Sequence, residues 1–325
     1  MNATNATTPT NEQPPYIDAE TMAGLIPMST AIEAVETTLK TGLDPEAEPP
    51  RGVVDVPGGQ LLLMPSSTTS YTGVKIATVT PGNAARDLPR VQGLYLLLDG
   101  TTHKPLALLD GIALTSLRTP AVSGAAIRHL AVPETRRLLV FGTGPQAWGH
   151  VEAVRAVRPT LEHVDVVART PERVAAFVDR CREAGLSAAP ATPADVASAD
   201  VVCCCTTARK PLFDSTLLPA HATVAAVGSH EPDAREVDGG LLERGLVVAE
   251  SHGVALRECG DIALAVAAGA FDVGRLRTLG ELVRGEVEVA EDRPRLFKSA
   301  GMAWEDLGVA AAAYERWSLA HAASA

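Results

Sequence analysis

A glycine turn between an apolar run and a helical pattern is the first place in this sequence where backbone groups could bind a ligand. Leu138–Phe141 is uncharged and rich in strand-forming residues, as in a parallel strand buried on both faces. Gly142–Gly144 follows at once, Ala147 completes a GxGxxA pattern, and Gln146–Arg158 has helical periodicity. Strand, turn and helix then present free N–H groups and a helix dipole to a dinucleotide pyrophosphate. An ordinary strand–turn–helix is the alternative.

Arginines stand where the next strand should meet the ribose of such a dinucleotide. The apolar run His163–Ala168 ends at Arg169, and Thr170 and Arg173 lie in the same turn, with no acid at its tip. An acid there would bind the ribose hydroxyls of NAD, whereas arginines accept a 2′-phosphate. The sequence therefore favours NADP(H), with NAD(H) possible. The alternative is that both arginines are solvated charges at a helix start.

Two cations lie in apolar segments where a lone charge is costly. Lys75 lies in Gly73–Val79, so it either faces water at a sheet edge or points into a pocket with an anion. Arg118 lies near the start of the predicted helix Thr115–Leu130, where the helix dipole disfavours a cation. A bound anion would explain Arg118, and a salt bridge to Asp110 or a neighbouring acid is the alternative.

Turns after the later predicted strands carry small or polar residues. These strands are predicted at Asp200–Cys205, Ala222–Gly228 and Leu246–Ala249. In a doubly wound sheet the carboxyl ends of the strands line the ligand crevice. The turn residues predicted to face the cofactor are Thr206, Thr207, Gly228, Ser229 and His230.

The composition excludes several classes of partner. Of 325 residues, 46% are hydrophobic and 4% aromatic, which suits an α/β protein large enough for two domains. The net charge of −11 argues against nucleic acid or an anionic membrane, and no apolar run could span a bilayer. Met1–Pro15 lacks the features of a signal peptide and is predicted to be a disordered lead-in. Cys203–Cys205 cannot converge on one metal, and a cytoplasmic location is expected.

The elements that must hold these residues fall into two groups. The N-terminal group is predicted to begin with one or two helices over Ala19–Lys40, with Ser29 as an N-cap. An antiparallel or mixed sheet follows, with strand candidates Gly52–Val56, Gln60–Met64, Tyr71–Thr80 and Gly93–Asp99. The nucleotide-binding group begins near residue 136. Phe297–Gly301 is predicted to be a turn before an amphipathic helix, Trp304–Ala323, that packs back on the N-terminal half.

Seven segments, in this order, together resemble the ornithine cyclodeaminase and mu-crystallin family. They are LLLMPSS (61–67), GVKIATVTPGN (73–83), LTSLRTPAVSGAA (114–126), VFGTGPQA (140–147), AVGSHEPDAREVD (226–238), ECGDI (258–262) and FKSAG (297–301). The resemblance implies a homodimer with a Rossmann-type doubly wound domain beside an α+β substrate and dimerisation domain. We expect a lead-in over 1–15, the substrate domain over 16–130 and 302–325, and the Rossmann domain over 131–301. Family members use NAD or NADP to oxidise or reduce small amino or imino acids, and some cyclise diamino acids.

The resemblance also implies a clamp for a substrate carboxylate. In the family, an arginine ahead of the Met-Pro pair, the lysine of the GVK segment and the arginine of the LRT segment hold that carboxylate. These residues match Arg51, Lys75 and Arg118. Guanidinium groups give bidentate hydrogen bonds to a carboxylate, and an ammonium adds a compact charge. Lys75 can also hydrogen-bond the reacting nitrogen or deliver its proton.

Two departures from the cyclodeaminases bear on the substrate. Those enzymes have an acid two positions before the Met of the Met-Pro pair, where this chain has Leu62, and an aspartate where it has His230. With neither carboxylate, the distal amine of a diamino acid has no evident partner, so an apolar or cyclic substrate body beside Leu62 and Met64 is favoured. His230 is a candidate proton donor because histidine titrates near neutral pH. Alternatively it is a polar turn residue, and the role of Asp261 stays open between the dimer and the pocket.

The sequence therefore predicts NAD(P)H-dependent reduction of a small 2-imino carboxylate, such as a cyclic ketimine, to the amino acid. The alternatives are an ornithine or lysine cyclodeaminase, an alanine-type amino acid dehydrogenase, and a non-catalytic NADP-dependent binding protein like mu-crystallin. The intact clamp argues against the last of these. The candidate cofactor-binding residues are Thr119, Gly142, Thr143, Gly144, Gln146, Ala147, Arg169, Thr170, Arg173, Thr206, Thr207, Gly228, Ser229 and Lys298.

Overall fold

The computed structural model describes residues 13–322, which form two β-sheets and the helices that cover them. The first sheet has six strands in the order β1-β6-β5-β4-β3-β2; β1 pairs parallel with β6, and the other pairs are antiparallel. The elements of this half are β1 (Tyr16–Ile17), α1 (Ala19–Leu25), α2 (Met28–Lys40), β2 (Gly52–Val56), β3 (Gly59–Ser67), β4 (Tyr71–Val79), β5 (Val91–Asp99), β6 (Pro105–Asp110) and α3 (Gly111–Leu130).

The second sheet has eight strands, all parallel, in the order β13-β12-β14-β11-β10-β7-β8-β9. Its strands, the helices between them and the helix that follows are β7 (Arg137–Phe141), α4 (Pro145–Val157), β8 (His163–Val167), α5 (Pro171–Glu183), β9 (Ser187–Pro190), β10 (Val201–Cys204), β11 (Thr223–Ala226), α6 (Gly239–Arg244), β12 (Leu246–Ala249), α7 (His252–Glu258), α8 (Gly260–Ala267), β13 (Arg277–Thr278), α9 (Leu279–Val283), β14 (Arg295–Lys298) and α10 (Ala303–Ala322).

The order of the second sheet reverses between β7 and β10. The chain runs from β7 outward to β8 and β9, then returns to lay β10 on the other side of β7. The turns after β7 and β10 therefore diverge, which opens a crevice at the carboxyl ends of these two strands. The predicted α/β class with a Rossmann-type doubly wound sheet is confirmed.

The helix α10 leaves the parallel sheet and packs on the first one. It contacts α2, α3 and the inner face of β3, β4 and β5. Trp304, Leu307 and Ala310 share a core with Ile32 of α2 and Leu97 of β5. Residue 323 of the predicted helix lies outside the described residues, as do residues 1–12 of the predicted lead-in. The proposed domain boundaries stay a prediction.

Four local predictions are corrected. Phe297 and Lys298 belong to β14, a buried strand between β11 and β12, and not to a turn. The helix α2 begins after Pro27, whose fixed φ suits a helix start, so Ser29 lies within the first turn and is no N-cap. The helix α3 begins four residues earlier than predicted, because Asp110 caps it. The carbonyl of Pro15 accepts a hydrogen bond from Leu108 N, so this residue is held by β6.

Between residues 13 and 322 no helix is both long enough and apolar enough to span a membrane.

Candidate active site

The inner face of the first sheet carries Lys75. Side chains alternate along β4, so Gly73, Lys75 and Ala77 face the helices while Ile76 faces outward. In register, Lys75 stands between Met64 on β3 and Tyr95 on β5. Only 3% of Lys75 is exposed. Of the two sequence alternatives, a wet sheet edge and an inward position, the structure has the inward one.

The Lys75 ammonium is paired with an acid from α10. Its Nζ lies 2.7 Å from Oδ2 of Asp306 and donates to Oγ1 of Thr115 at 3.3 Å. Burial and the nearby Arg118 lower the pKa of Lys75 to about 8, against the opposing effect of Asp306 and Glu305. The group is therefore cationic at neutral pH and close to releasing its proton.

Arg118 lies two turns inside α3, because that helix starts at Gly111. The argument that a helix start needs a bound anion near Arg118 is therefore wrong. The guanidinium contacts Glu305, and its Nε lies 3.3 Å from Oδ1 of Asp306. Desolvation alone would lower the pKa of Arg118, but these two acids outweigh it and raise the pKa. A salt bridge to neighbouring acids was the alternative, and its partners come from α10 and not from Asp110.

A third acid, Glu250, stands behind Arg118. Glu250 follows β12, and its carboxylate accepts hydrogen bonds from Ser299 Oγ and from the backbone N–H groups of Ala300 and Gly301. Burial and the negative charge of Glu250 raise the pKa of Glu305, while Arg118 opposes them. Glu250 and the acids of α10 thus anchor the FKSAG segment and Arg118 together.

Gly301 lies against two of the predicted clamp residues, Arg51 and Arg118. It has φ +82°, and a Cβ built on it would lie 2.6 Å from Nη1 of Arg118, so only glycine fits. Arg51 Nη2 donates to the Gly301 carbonyl at 2.9 Å and lies 2.7 Å from Oε2 of Glu258. Since Arg118 and Lys75 share Asp306, the structure brings all three predicted cations to one region.

A small cavity of about 60 Å³ opens beside this cluster, lined by Arg51, Met64, Glu258, Gly301 and Met302 among others. Leu62 lies on the same strand face as Met64, opposite Ala77. The sheet neighbours of position 62 are therefore apolar, and the predicted substrate body beside it stays a prediction.

His230 lies exposed in the turn after β11. Partial burial and the positive charge of Arg51 lower its pKa below the usual value. The turn thus reaches the Arg51 side of the cluster, and His230 is mainly neutral at pH 7.

The glycine turn has the geometry of a phosphate site. Gly142 has φ +112°, and a Cβ there would lie 2.5 Å from the Cys205 carbonyl, so glycine permits the close approach of the turns after β7 and β10. A Cβ on Gly144 would meet no described atom within 4 Å, which leaves the N-terminus of α4 open to a ligand. Ala147 is fully buried behind the turn.

The predicted residues around this turn connect it to α3. Thr143 lies within the turn, and Gln146 Nε2 donates to the Thr115 carbonyl at 3.4 Å. Thr119 is buried one turn further along the same helix. The crevice and the Lys75 cluster therefore share α3 as a common wall.

Arg169, Thr170 and Arg173 are exposed around the start of α5. Within the part of the chain that the structure describes, neither arginine side chain forms a hydrogen bond or an ion pair with a protein group. Both guanidinium groups are free to bind an anion, which fits a 2′-phosphate and also fits two solvated charges.

One buried acid ties together the turns after β10 and β11. Oε1 of Glu236 accepts from Thr206 N at 2.9 Å and Thr206 Oγ1 at 2.7 Å, and Oε2 accepts from Gly228 N at 2.7 Å. Burial raises the pKa of Glu236 to about 7, against the opposing charge of Lys298. Thr207, next in the chain, is exposed.

Lys298 is fully buried behind these turns. Its Nζ donates to the Ser229 carbonyl at 2.7 Å and lies 3.0 Å from Oδ2 of Asp261. Asp261 Oδ1 in turn accepts from the backbone N–H groups of Glu236 and Val237. Lys298 thus supports Ser229 from behind and has no surface to offer a cofactor, which differs from its predicted direct contact. Asp261, whose role the sequence left open, is buried and links Lys298 to the backbone of Glu236 and Val237.

Sequence reasoning missed the acids that hold the cations: Glu250, Glu258, Glu305 and Asp306. One signal was present, since Glu305 and Asp306 are adjacent acids in the first turn of an alanine-rich helix. Over residues 13–322 no group of three His, Cys, Asp or Glu side chains could hold a metal ion.

Comparison with known proteins assigns the family. The model of the ornithine cyclodeaminase/mu-crystallin family matches residues 17–321. A Delta(1)-pyrroline-2-carboxylate reductase of Bacillus cereus is 35% identical over 312 residues, 92% of this chain and 95% of the relative. The structure of the Thermococcus litoralis Delta(1)-pyrroline-2-carboxylate reductase in complex with NADH and L-proline has a TM-score of 0.87 at 30% identity, covering 94% of this chain and 98% of that one. An archaeal alanine dehydrogenase dimer with bound NAD has a TM-score of 0.87 at 28% identity, covering 95% and 97%. The protein therefore belongs to the ornithine cyclodeaminase/mu-crystallin family, as the sequence motifs predicted.

Proposed function

We propose that the protein is an NAD(P)H-dependent imine reductase that converts a small cyclic 2-imino carboxylate, such as pyrroline-2-carboxylate or piperideine-2-carboxylate, into the amino acid. The observation that carries this proposal is that Arg51 and Arg118 both lie against Gly301, while Lys75 and Arg118 share Asp306. The relatives named Delta(1)-pyrroline-2-carboxylate reductase, one of them solved with NADH and L-proline, support the same chemistry.

The three cations divide the work on such a substrate. Arg51 and Arg118 bind its carboxylate through charge-assisted hydrogen bonds. When bound, the nicotinamide cofactor supplies the hydride that adds to the imine carbon. Lys75 is cationic at neutral pH and gives a proton to the imine nitrogen. His230 is mainly neutral there, so we assign it to the mouth of the site and Lys75 to proton donation.

The apolar surroundings of position 62 favour a cyclic imine over a diamino acid. A distal ammonium needs a carboxylate partner to compensate its desolvation. At the two positions where cyclodeaminases have a carboxylate, this chain has Leu62 and His230. Leu62 is also paired with an apolar residue, Ala77, on the neighbouring strand. We therefore rank cyclodeamination below imine reduction.

We propose NADP(H) as the favoured cofactor and NAD(H) as an accepted one. The exposed guanidinium groups of Arg169 and Arg173 support a 2′-phosphate at the end of β8. Two similar solved proteins carry NADH or NAD, which supports the acceptance of NAD(H).

We also propose a homodimer formed through the outer face of the first sheet. Leu63, Ile76 and Leu94 are cross-strand neighbours on that face and are 37%, 41% and 45% exposed. A contiguous exposed apolar patch of this kind marks an interaction surface. The dimer of the similar archaeal alanine dehydrogenase supports a symmetric partner.

The test of the reaction is NADPH and NADH oxidation with pyrroline-2-carboxylate, piperideine-2-carboxylate, and pyruvate with ammonia, followed by the reverse reaction with proline, ornithine, lysine and alanine. Turnover of a cyclic imine together with inactivity toward the diamines supports the proposal. Ammonia release from ornithine or lysine would establish a cyclodeaminase instead. Oxidation of NAD(P)H only with pyruvate and ammonia would establish an alanine-type dehydrogenase.

The clamp predicts a defect in substrate binding for Arg51→Met. Loss of a charge-assisted hydrogen bond, about 1.5–3 kcal/mol, should raise the KM for the imine by a factor of about 10 to 150. Arg284→Met is the matched control, because Arg284 also pairs with a glutamate, Glu286, but is exposed and does not line the cavity. Equal KM values for the two variants would remove Arg51 from the clamp.

A further inference from the structure

Several polar groups behind Lys75 lack partners although they are buried. Within residues 13–322, no hydrogen bond of good geometry is formed by Glu48 Oε2, Ser66 Oγ, Tyr95 Oη or the two carboxylate oxygens of Asp306, which make only ion pairs. Ser66 is 4% exposed, and Tyr95 and Asp306 are 0% exposed. Buried polar atoms in native proteins are nearly always satisfied by protein or by ordered water. Groups of this kind, close together, are therefore expected to be satisfied by ordered water.

The sheet register aligns these groups. On the inner face, Tyr95 is the cross-strand partner of Lys75, and Ser66 is the partner of Gly73. A Cβ built on Gly73 would lie 2.1 Å from Oη of Tyr95. The tyrosine ring therefore crosses β4 in the space that Gly73 leaves open and carries its hydroxyl toward Ser66 on β3. Because position 73 is a glycine, the hydroxyl of Tyr95 on β5 can extend across β4 toward β3.

Acids stand at both ends of this hydroxyl pair. Burial, together with the charges of Asp306 and Glu48, raises the pKa of Tyr95 well above its usual value, so Tyr95 stays a neutral hydroxyl. Glu48 lies beside Ser66, and burial raises the pKa of its carboxyl against the effect of that serine. At the other end, Asp306 is in contact with Lys75.

The Glu48 end reaches the surface. Glu48 lines the small cavity next to Arg51 and Met64, and it also lines a groove of about 1080 Å³ between α2, α10 and the turn that follows β3. A proton taken up from this groove would enter at Glu48 without crossing the cofactor crevice.

The proposed reaction needs such a supply, and the inference rests on that proposed function. Hydride from the nicotinamide forms a C–H bond at the imine carbon, the π electron pair of C=N moves to nitrogen, and nitrogen takes a proton from the Lys75 ammonium. Lys75 is left as a neutral amine. It is buried, so each turnover must return one proton to it from solvent.

We propose that Glu48, Ser66 and Tyr95, together with ordered water between them, carry that proton from the outer groove to Asp306 and Lys75. Each hydroxyl passes one proton inward and takes one from its outer neighbour, so that the chain is unchanged after a turnover. Tyr95 is a positioning residue in this scheme, since it acts through Asp306 and Lys75 and never touches substrate.

The test compares Tyr95→Phe, Ser66→Ala and Glu48→Gln in the full-length protein with pyrroline-2-carboxylate. Tyr95→Phe keeps the ring over Gly73 and removes only the hydroxyl. We expect kcat to fall about tenfold in each variant, the KM for the imine to stay unchanged and the solvent deuterium isotope effect on kcat to rise. Because the groups act in series, the double variant Tyr95→Phe with Glu48→Gln should have a kcat no lower than that of the slower single variant. The matched control is Tyr71→Phe, because Tyr71 is a half-buried tyrosine of the groove whose hydroxyl donates to Glu315, outside the proposed chain.

A readout without turnover completes the test. A crystal structure of the wild type should show ordered water molecules that bridge Ser66, Tyr95 and Asp306. In a crystal structure of Tyr95→Phe, the water bridge at residue 95 should be absent. An unchanged isotope effect in all three variants, or a dry wild-type path, would overturn the relay. Wild-type turnover of the imine is measured first, so that inactivity of the wild type counts against the proposed function and not against the relay.

Discussion

Lys75 holds its charge where burial and Arg118 both disfavour it, and its pKa of about 8 sets a pH limit on the reaction. A proton donor must be protonated to act, so activity is present below this pKa and is lost above it. We expect kcat for imine reduction to be level below pH 8 and to fall by about tenfold per pH unit above it. The measurement is kcat from NADPH oxidation between pH 6 and 10.

Lys40→Gln is the control for this profile, because Lys40 is an exposed lysine of α2 whose ion pair, among the described residues, is with Glu36. Its pH profile should match the wild type. A level profile up to pH 10 in the wild type would exclude Lys75 as the donor.

A second prediction for a single residue concerns Arg169 and the preference for NADPH over NADH. Arg169→Asp removes a guanidinium that can bind a 2′-phosphate and adds a carboxylate that can bind ribose hydroxyls. We expect the ratio of kcat/KM for NADPH to that for NADH to fall by about 10 to 100 times, the worth of one charge-assisted contact. Arg182→Asp, an exposed change on α5 beyond the turn, should leave the ratio unchanged. An unaltered ratio in Arg169→Asp would make this arginine a solvated charge.

Single residues also show how far sequence reasoning extends. Lys75 and Arg118 stand out in the sequence because a lone charge in an apolar segment needs a partner. Their partners do not stand out, since Arg118 and Glu305 are 187 positions apart and only the fold brings them together. Likewise, nothing in the sequence indicates that Gly73 makes room for Tyr95, which depends on the register of two strand pairs.

At the scale of elements, Asp261 joins α8 to β14 and to the turn after β11. Asp261→Asn leaves the buried Lys298 ammonium without its counter-charge, which should lower the free energy of unfolding by about 3 kcal/mol. Urea denaturation measures the change. Asp179→Asn is the matched control, because its ion pair with Arg182 is exposed, and it should change stability by less than about 0.5 kcal/mol. Equal midpoints would mean that water reaches Lys298.

Element boundaries were predictable where the signal is local. The strand Gly52–Val56 and the strand Leu246–Ala249 match their predicted bounds, since each is a short apolar run between turns. The strand β14 was not predictable as a central strand. Its four residues include Arg295 and Lys298, and both charges are buried only because distant backbone carbonyls and Asp261 receive them.

At the scale of the whole molecule, the apolar outer face of the first sheet predicts the oligomeric state. Ile76→Glu combined with Leu94→Glu puts two like charges at cross-strand positions in the centre of that face. We expect the double variant to sediment as a monomer at concentrations where the wild type is a dimer. Leu217→Glu, an equally exposed leucine on the other half of the molecule, should sediment like the wild type. A dimeric double variant would move the interface elsewhere.

The return of α10 to the first sheet also has a consequence for the order of assembly. During translation the residues of both sheets leave the ribosome before Glu305 and Asp306, and domains tend to fold as their segments emerge. Until then Lys75 and Arg118 have no acid of α10 to receive them, and burying them alone is costly. We therefore expect the side chains of Lys75 and Arg118 to stay hydrated until α10 packs on the inner face of the first sheet.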